Sequence, residues 1–340
     1  MFQRIIVPLD GSRRAERAIP VAATLARAAQ GTIVFLRVAV LGHEVGFYGA
    51  GPAVEIIPTL LETRVTEANE YLASVMTIFR DYLTGIKTET VVETGTTTST
   101  IVSAARWEHG DLIVLCSHGD TGLKRWVLDS IALQAARHSP VPVLILNEHD
   151  AVHPLEDVAR PLRVLVPLDG SELAETALTP VVQLMAALTS TGKGVLHLLR
   201  VVDVPLLNGS MRDLARVDAL ARQHANAEAQ MYLDAIVKRL QEANQGSTPL
   251  SITTSVILSP DIAGTIIQQA EAGSCDVIAM ATHGRGGLMR LLMGSVTERI
   301  IGHTTLPLLV TRPPKPLVEQ KQVHDPMDDE KELSSWVGLL

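Results

Sequence analysis

The sequence predicts an α/β protein of two tandem doubly wound domains, each a five-stranded parallel sheet with helices on both faces. Three observations predict it. Apolar strand-like runs alternate with helical stripes, five strands to a half. The plan occurs twice: Val7-Pro8-Leu9-Asp10-Gly11-Ser12 returns as Val166-Pro167-Leu168-Asp169-Gly170-Ser171, a step of 159 from Asp10 to Asp169. Ser117-His118-Gly119 returns as Thr282-His283-Gly284, a step of 165 from Ser117 to Thr282. Hydrophobic residues make up 46% of the chain but aromatics only 3%, so the cores must be built from Val, Ile, Leu and Ala. Such residues suit parallel strands buried on both faces.

Arg4 to Leu9 reads as a buried strand with an exit loop at Pro-Leu-Asp-Gly-Ser. Ser12 is a good N-cap for a helix over Arg13 to Ala29, where Ala15, Ala18, Ile19, Ala22, Leu25 and Ala26 form one stripe, and Gly31 stops it. Thr32 to Val40 is a second strand. A Gly-rich loop over residues 41–54 leads to a long helix ending near Leu83. Ile86 to Glu93 is a strand, Thr96 to His109 a helix, Asp111 to Ser117 a strand, Asp129 to His138 a helix and Val141 to Asn147 the last strand. The second half repeats this with strands near 162–168, 194–202, 250–258, 275–281 and 306–311. The step between copies grows by six (165 against 159), which places an insertion at the helix from about Asp213 to Ala243 or its flanking loops.

At 340 residues the chain has room for two ordinary domains, over 1–147 and 161–312. Residues 148–160 lack periodicity and read as a linker; 313–340, polar and acidic, read as a flexible tail. The formal charge of −8 and the lack of a Lys/Arg block argue against nucleic acid as a partner. Two cysteines, Cys116 and Cys275, make neither a disulfide framework nor a metal signature. No apolar stretch approaches the ~20 residues of a membrane helix, and the N-terminus lacks a charged leader pattern. A cytoplasmic protein with no membrane partner is expected.

In an open parallel sheet, ligands sit beyond the carboxyl ends of the strands where the strand order reverses. Four features of the second half fall at such ends: Pro167-Leu168-Asp169, Val201-Val202-Asp203, Ala281-Thr282-His283-Gly284-Arg285-Gly286-Gly287, and Gly294-Ser295-Val296-Thr297 opening the last helix. A helix N-terminus offers unpaired N–H groups to an anion. Gly294 lets the backbone come close, Ser295 adds a hydroxyl, and glycines 284, 286 and 287 let a loop wrap inward. Arg285 and Arg290 bring positive charge, and Asp169 can accept from a ribose hydroxyl or an adenine amine. Each feature alone has a plain structural reading: Asp169-Gly170-Ser171 as a turn and cap, His283 as a loop histidine, Gly294-Ser295 as an ordinary helix start. All four at strand ends of one domain, in the expected order, favour a nucleotide.

On these residues the chain resembles a tandem universal stress protein, two UspA-type domains in one polypeptide. ATP-binding members of that family carry Gly, two residues, Gly, nine residues, then Gly-Ser or Gly-Thr. Here the series reads Ala281, Thr282-His283, Gly284, Arg285 to Met293, Gly294-Ser295, with Ala281 the one departure. The resemblance implies a Rossmann-like fold of the adenine nucleotide alpha hydrolase-like kind. It implies Pro167, Leu168 and Asp169 beside the adenosine and Val201 giving backbone contacts to adenine. It also implies Ala281, Thr282, His283, Gly284, Arg285, Gly286 and Gly287 around ribose and phosphates, and Gly294, Ser295, Val296 and Thr297 on the polyphosphate, with ATP bound as its Mg²⁺ complex. The first half keeps Pro8, Asp10 and Val38 but has Cys116 for the first glycine and Asp129 for the third. A carboxylate ~4 Å from a phosphate charge costs about 4 kcal/mol at an effective dielectric near 20, roughly a thousandfold in affinity. The first half is therefore expected to bind ATP poorly.

No Walker-type Gly-Lys-Ser/Thr and no Ser-His-Asp arrangement is present, so no catalytic residues are assigned and the chain reads as a non-enzyme. The leading expectation is an ATP-binding regulator of a stress response, acting through a protein partner. A nucleotide-independent scaffold is the second reading, and a slow ATPase or related nucleotide hydrolase the third. The last strands, Val141–Leu146 and Leu306–Val310, are apolar edges that need covering; the two halves can cover each other, and a homodimer of the whole chain is a further way to pair.

Overall fold

The structure is a computed structural model that describes residues 2–40, 53–117, 131–147, 161–189, 194–203, 212–243, 250–282 and 293–313. The first half comprises β1 (Arg4–Pro8), α1 (Arg13–Glu16), α2 (Ala18–Ala29), β2 (Thr32–Ala39), α3 (Ala53–Ile78), α4 (Arg80–Leu83), β3 (Lys87–Thr94), α5 (Thr97–Trp107), β4 (Leu112–Ser117), α6 (Ile131–His138) and β5 (Val143–Asn147). The second comprises β6 (Leu162–Pro167), α7 (Glu172–Glu175), α8 (Leu178–Leu188), β7 (Gly194–Val202), α9 (Arg212–Ala243), β8 (Leu250–Leu258), α10 (Ile262–Ala272), β9 (Val277–Ala281), α11 (Ser295–His303) and β10 (Leu308–Thr311).

The strands form one ten-stranded sheet in the order β3-β2-β1-β4-β5-β10-β9-β6-β7-β8. Each half is parallel within itself, as five-stranded doubly wound units require. The halves join where β5 and β10 run antiparallel, with Leu309 opposite Leu144. The two apolar edge strands thus cover each other, which removes two unpaired edges from solvent.

Alternation along each strand feeds two cores. Ile5 and Val7 face one side with Ile19 of α2, Leu72 of α3, Val181 of α8 and Leu233 of α9; Ile6 faces the other with Ile101 of α5, Leu133 of α6, Ile266 of α10 and Ile300 of α11. Both cores run across the seam, and α2 packs on α8 there.

Local details differ from the sequence reading, and the long helix expected to end near Leu83 divides at Phe79 into α3 and α4. The Ala-rich helix after Ser12 breaks at Arg17 into α1 and α2. That helix ends on Gln30, whose φ of 52° is left-handed; Gly31 is needed instead for close approach, since a Cβ there would lie 2.6 Å from the Gln3 carbonyl oxygen. The extra residues of the second half do not all belong to the long helix. Pro8 pairs with Leu36 and Pro167 with Leu199, so the step has already risen from 159 to 163 by β7. Four of the six therefore enter between α8 and β7. The linker 148–160 and tail residues 314–340 lie outside the described residues.

Candidate functional site

The strand order reverses between β6 and β9 in the second half and between β1 and β4 in the first. At the end of β6 the Leu168 N–H donates to the Leu199 carbonyl at 2.8 Å, the last rung between β6 and β7. The chain then turns away at Gly170, whose φ of 82° is left-handed and suits glycine. Asp169 closes the turn: its Oδ1 accepts from the Ser171 N–H at 2.9 Å and from the Ser171 hydroxyl at 2.6 Å, while Ser171 Oγ caps α7 by accepting from the Ala174 N–H at 3.2 Å. Residues alternate their peptide groups between neighbouring strands. Leu199 faces β6 and the Val202 carbonyl faces β8, where it accepts from Ser259 at 3.0 Å. The N–H and C=O of Val201 therefore face the side where β6 no longer pairs.

Beneath this turn lies a network absent from the sequence reading. Arg200 is buried in β7, and its Nη1 donates to the Leu168 carbonyl at 3.1 Å. Behind it the Tyr232 hydroxyl donates to Glu175 at 3.0 Å, and Arg239 pairs with the other Glu175 oxygen. Burial and then the Glu175 charge push the Tyr232 phenol well above its ordinary pKa. The first half repeats the device: Arg37 donates to the Leu9 carbonyl at 3.1 Å, lies 5.6 Å over the Tyr71 ring, and the Tyr71 hydroxyl donates to Glu16 at 3.0 Å. Aligning the two copies through Leu-Arg-Val, at Leu36-Arg37-Val38 and Leu199-Arg200-Val201, was the available signal.

The residue four on from each aspartate differs. Arg14 pairs with the second oxygen of Asp10 at 3.1 Å, whereas the matching position in the second half is Leu173. Burial would raise the Asp10 pKa, but the Ser12 hydrogen bonds and the Arg14 and Arg37 charges outweigh it and hold Asp10 below the ordinary carboxylate value.

α11 is fixed over the end of β9. The Gly294 N–H donates to the Thr282 carbonyl at 2.9 Å, and the buried Thr297 hydroxyl donates to the Ala281 carbonyl at 3.2 Å. Thr282 in turn is tied to β10 through its N–H and the Thr311 carbonyl at 2.8 Å. Gly294 is the N-cap and supplies no side-chain hydrogen bond, so the first-turn N–H groups at Ser295, Val296 and Thr297 are not capped by it. A Cβ at 294 would meet the Thr282 carbonyl oxygen at 3.3 Å, closer than most side chains sit.

Pro167, Leu168 and Asp169 on β6's exit and Ala281 and Thr282 on β9's exit thus lie on adjacent strands flanking the reversal, with Gly294 to Thr297 hung from the latter. His283, Gly284, Arg285, Gly286 and Gly287 lie outside the described residues, as do Asp129 and Ser130 of the first half. Cys116 and Cys275 are both free thiols, and burial pushes the Cys275 thiol pKa up. Among the described residues no cluster of His, Cys, Asp and Glu is placed to hold a metal, and no helix is long and apolar enough to cross a membrane.

A family model described as the universal stress protein family matches residues 1–147 and again 162–312. The chain belongs to the universal stress protein family. Among tandem members, a universal stress protein of Mycobacterium tuberculosis is 26% identical over 313 residues, covering 91% of this chain and 96% of the relative. A universal stress protein of Methanocaldococcus jannaschii is 28% identical over 148 residues, 44% of this chain and 84% of the relative. The crystal structure of a universal stress protein from Archaeoglobus fulgidus superposes with a TM-score of 0.59 at 21% identity, covering 91% of this chain and 96% of that one, and shares the fold.

Proposed function

We propose that this universal stress protein is an ATP-binding regulator in a stress response, with one functional nucleotide site in its C-terminal half. Residues 1–147 and 161–312 would act as two units, the first serving the second as a built-in partner. The observation that carries this is the start of α11: a glycine N-cap that brings no side chain of its own, held 2.9 Å from the end of β9 beside the strand reversal. Such a helix end offers N–H groups and a partial positive charge to phosphate. The peptide groups of Val201 would take the adenine edge and Asp169 a ribose hydroxyl. Ala281 to Gly287 would wrap ribose and phosphates, with Mg²⁺ carried in on the polyphosphate. In the first half Asp129 stands where the second has Gly294, which supports poor binding there. No catalytic role is proposed for any residue, and a cytoplasmic setting is proposed with ATP and an unidentified protein as partners.

A nucleotide-independent scaffold is the second reading, favoured by the β5–β10 seam, where the halves pair directly strand to strand. Calorimetric titration of the full chain with MgATP separates the two. One site per chain supports the regulator, no uptake supports the scaffold, and two equivalent sites overturn the asymmetry between the halves.

A further inference from the structure

Two side chains at matching positions of the repeat tie each half to the far end of the other half's last helix. Asn147, ending β5, donates from Nδ2 to the Thr304 carbonyl at the end of α11 at 3.2 Å. Arg312, which is 165 residues on from Asn147, donates from Nη1 to the His138 carbonyl at the end of α6 at 3.4 Å. One contact breaks the pattern. Arg137, in the last turn of α6, forms an ion pair with Glu298, in the first turn of α11. The positions that would repeat it are Leu133 and Gly302, and neither can carry a charge. Arg137 is the better buried partner, at 16% exposure against 34% for Glu298, and its Nε finds no hydrogen-bond partner among the described residues.

We propose that Arg137 of the first half is a positioning residue for the second half's nucleotide site, setting the charge at the first turn of α11 through Glu298. This rests on the ATP-site reading above. Glu298 follows Gly294-Ser295-Val296-Thr297 directly, so its carboxylate lies within a turn of the N–H groups that would meet polyphosphate. A carboxylate favours the helix dipole but opposes an incoming anion. Arg137 cancels that opposition, and it does so from the other half of the molecule. The first half thereby gains a direct energetic hold on the site without binding nucleotide itself.

The two partners of an ion pair have opposite charge, so removing them one at a time must move ATP affinity in opposite directions. Arg137→Met is expected to weaken MgATP binding by about threefold to thirtyfold, and Glu298→Gln to tighten it. The double variant returns to within about twofold of the parent. The spread between the single variants shrinks as salt is raised. A role confined to holding the seam together would give no opposite signs and no salt dependence. Glu298→Gln keeps Arg137 seated against a neutral isostere, so its sign decides the matter even if Arg137→Met folds badly. Calorimetry on the full-length chain with MgATP reads all four proteins. Single variants that shift affinity in the same direction, or not at all, overturn the coupling and leave the site standing. A parent chain that takes up no MgATP overturns the site itself, and the coupling with it.

Discussion

The Gly294 N–H and the Thr282 carbonyl meet at 2.9 Å, and this one hydrogen bond sets the start of α11 on the end of β9. It links two segments of the motif that lie twelve residues apart (294 − 282). A Cβ at 294 would come 3.3 Å from the same carbonyl oxygen, so a side chain is tolerated only with a shift of a few tenths of an ångström.

Gly294→Asp transplants the first half's residue into this position. Its carboxylate would cap α11 from the side that phosphate would approach. The fold should survive, because aspartate is a good N-cap. ATP affinity should fall at least tenfold and up to about a thousandfold, the latter from a charge pair at ~4 Å. Calorimetry with MgATP checks it; unchanged affinity would remove the phosphate from this helix end. Gly294→Ala, which adds no charge, should cost far less.

Arg200→Met removes the charged donor to the Leu168 carbonyl. A hydrogen bond from a charged group contributes about 1.5–3 kcal/mol, so the urea midpoint of the full chain should drop accordingly. ATP affinity should drop as well, because Asp169 follows Leu168 directly. Arg37→Met makes the same change at Leu9, where Arg37 is only half-buried, and should cost less and leave ATP affinity unaltered.

That network shows where sequence reading ran out. The strands were legible because Val, Ile and Leu runs feed cores on both faces, and Ser12 and Ser171 cap their helices as their position predicts. Arg37 and Arg200 were not, because a lone arginine in an apolar strand looks like a solvent-facing position. Only its carbonyl partner, one strand away, gives it a reason to be buried. The break at Arg17 had a signal in Pro20, which lacks an N–H and crowds the Glu16 carbonyl four residues back, so α1 and α2 divide there although the Ala stripe continues. Of the glycine-spaced segment 281–297, the described residues Ala281, Thr282 and Gly294 to Thr297 come together at the end of β9. The charge beside it, Arg137, was not legible, because its contact with Glu298 joins segments 161 residues apart.

His197 gives the chain a pH dependence. Its ring nitrogens lie 2.8 Å from the Thr253 hydroxyl and 2.9 Å from the Ser255 hydroxyl, and burial holds its pKa below the ordinary 6.5. A histidine whose folded pKa is depressed stabilises the fold above 6.5 and loses that contribution as pH falls below it. His138, lowered by burial and then by Arg312 and Arg137, acts in the same sense. The melting temperature should therefore decline from pH 7 to pH 5. The first-half residue at the matching register is Val34. His197→Val should flatten part of the slope, and an unchanged slope would assign all of it elsewhere.

The seam should make the two halves unfold together. Leu309 and Leu144 face each other across β10 and β5, both fully buried, in a core that also holds Ile19 from the first half and Val181 from the second. Leu309→Ala opens a cavity in that shared core, at a cost of about 2–5 kcal/mol. Were the halves independent, only the second would melt early, and calorimetry would resolve two transitions. Because the sheet and both cores continue across β5 and β10, a single transition at lower temperature is expected. The drop should appear equally in fluorescence from Trp107, which lies on α5 of the first half, far along the chain from the substitution.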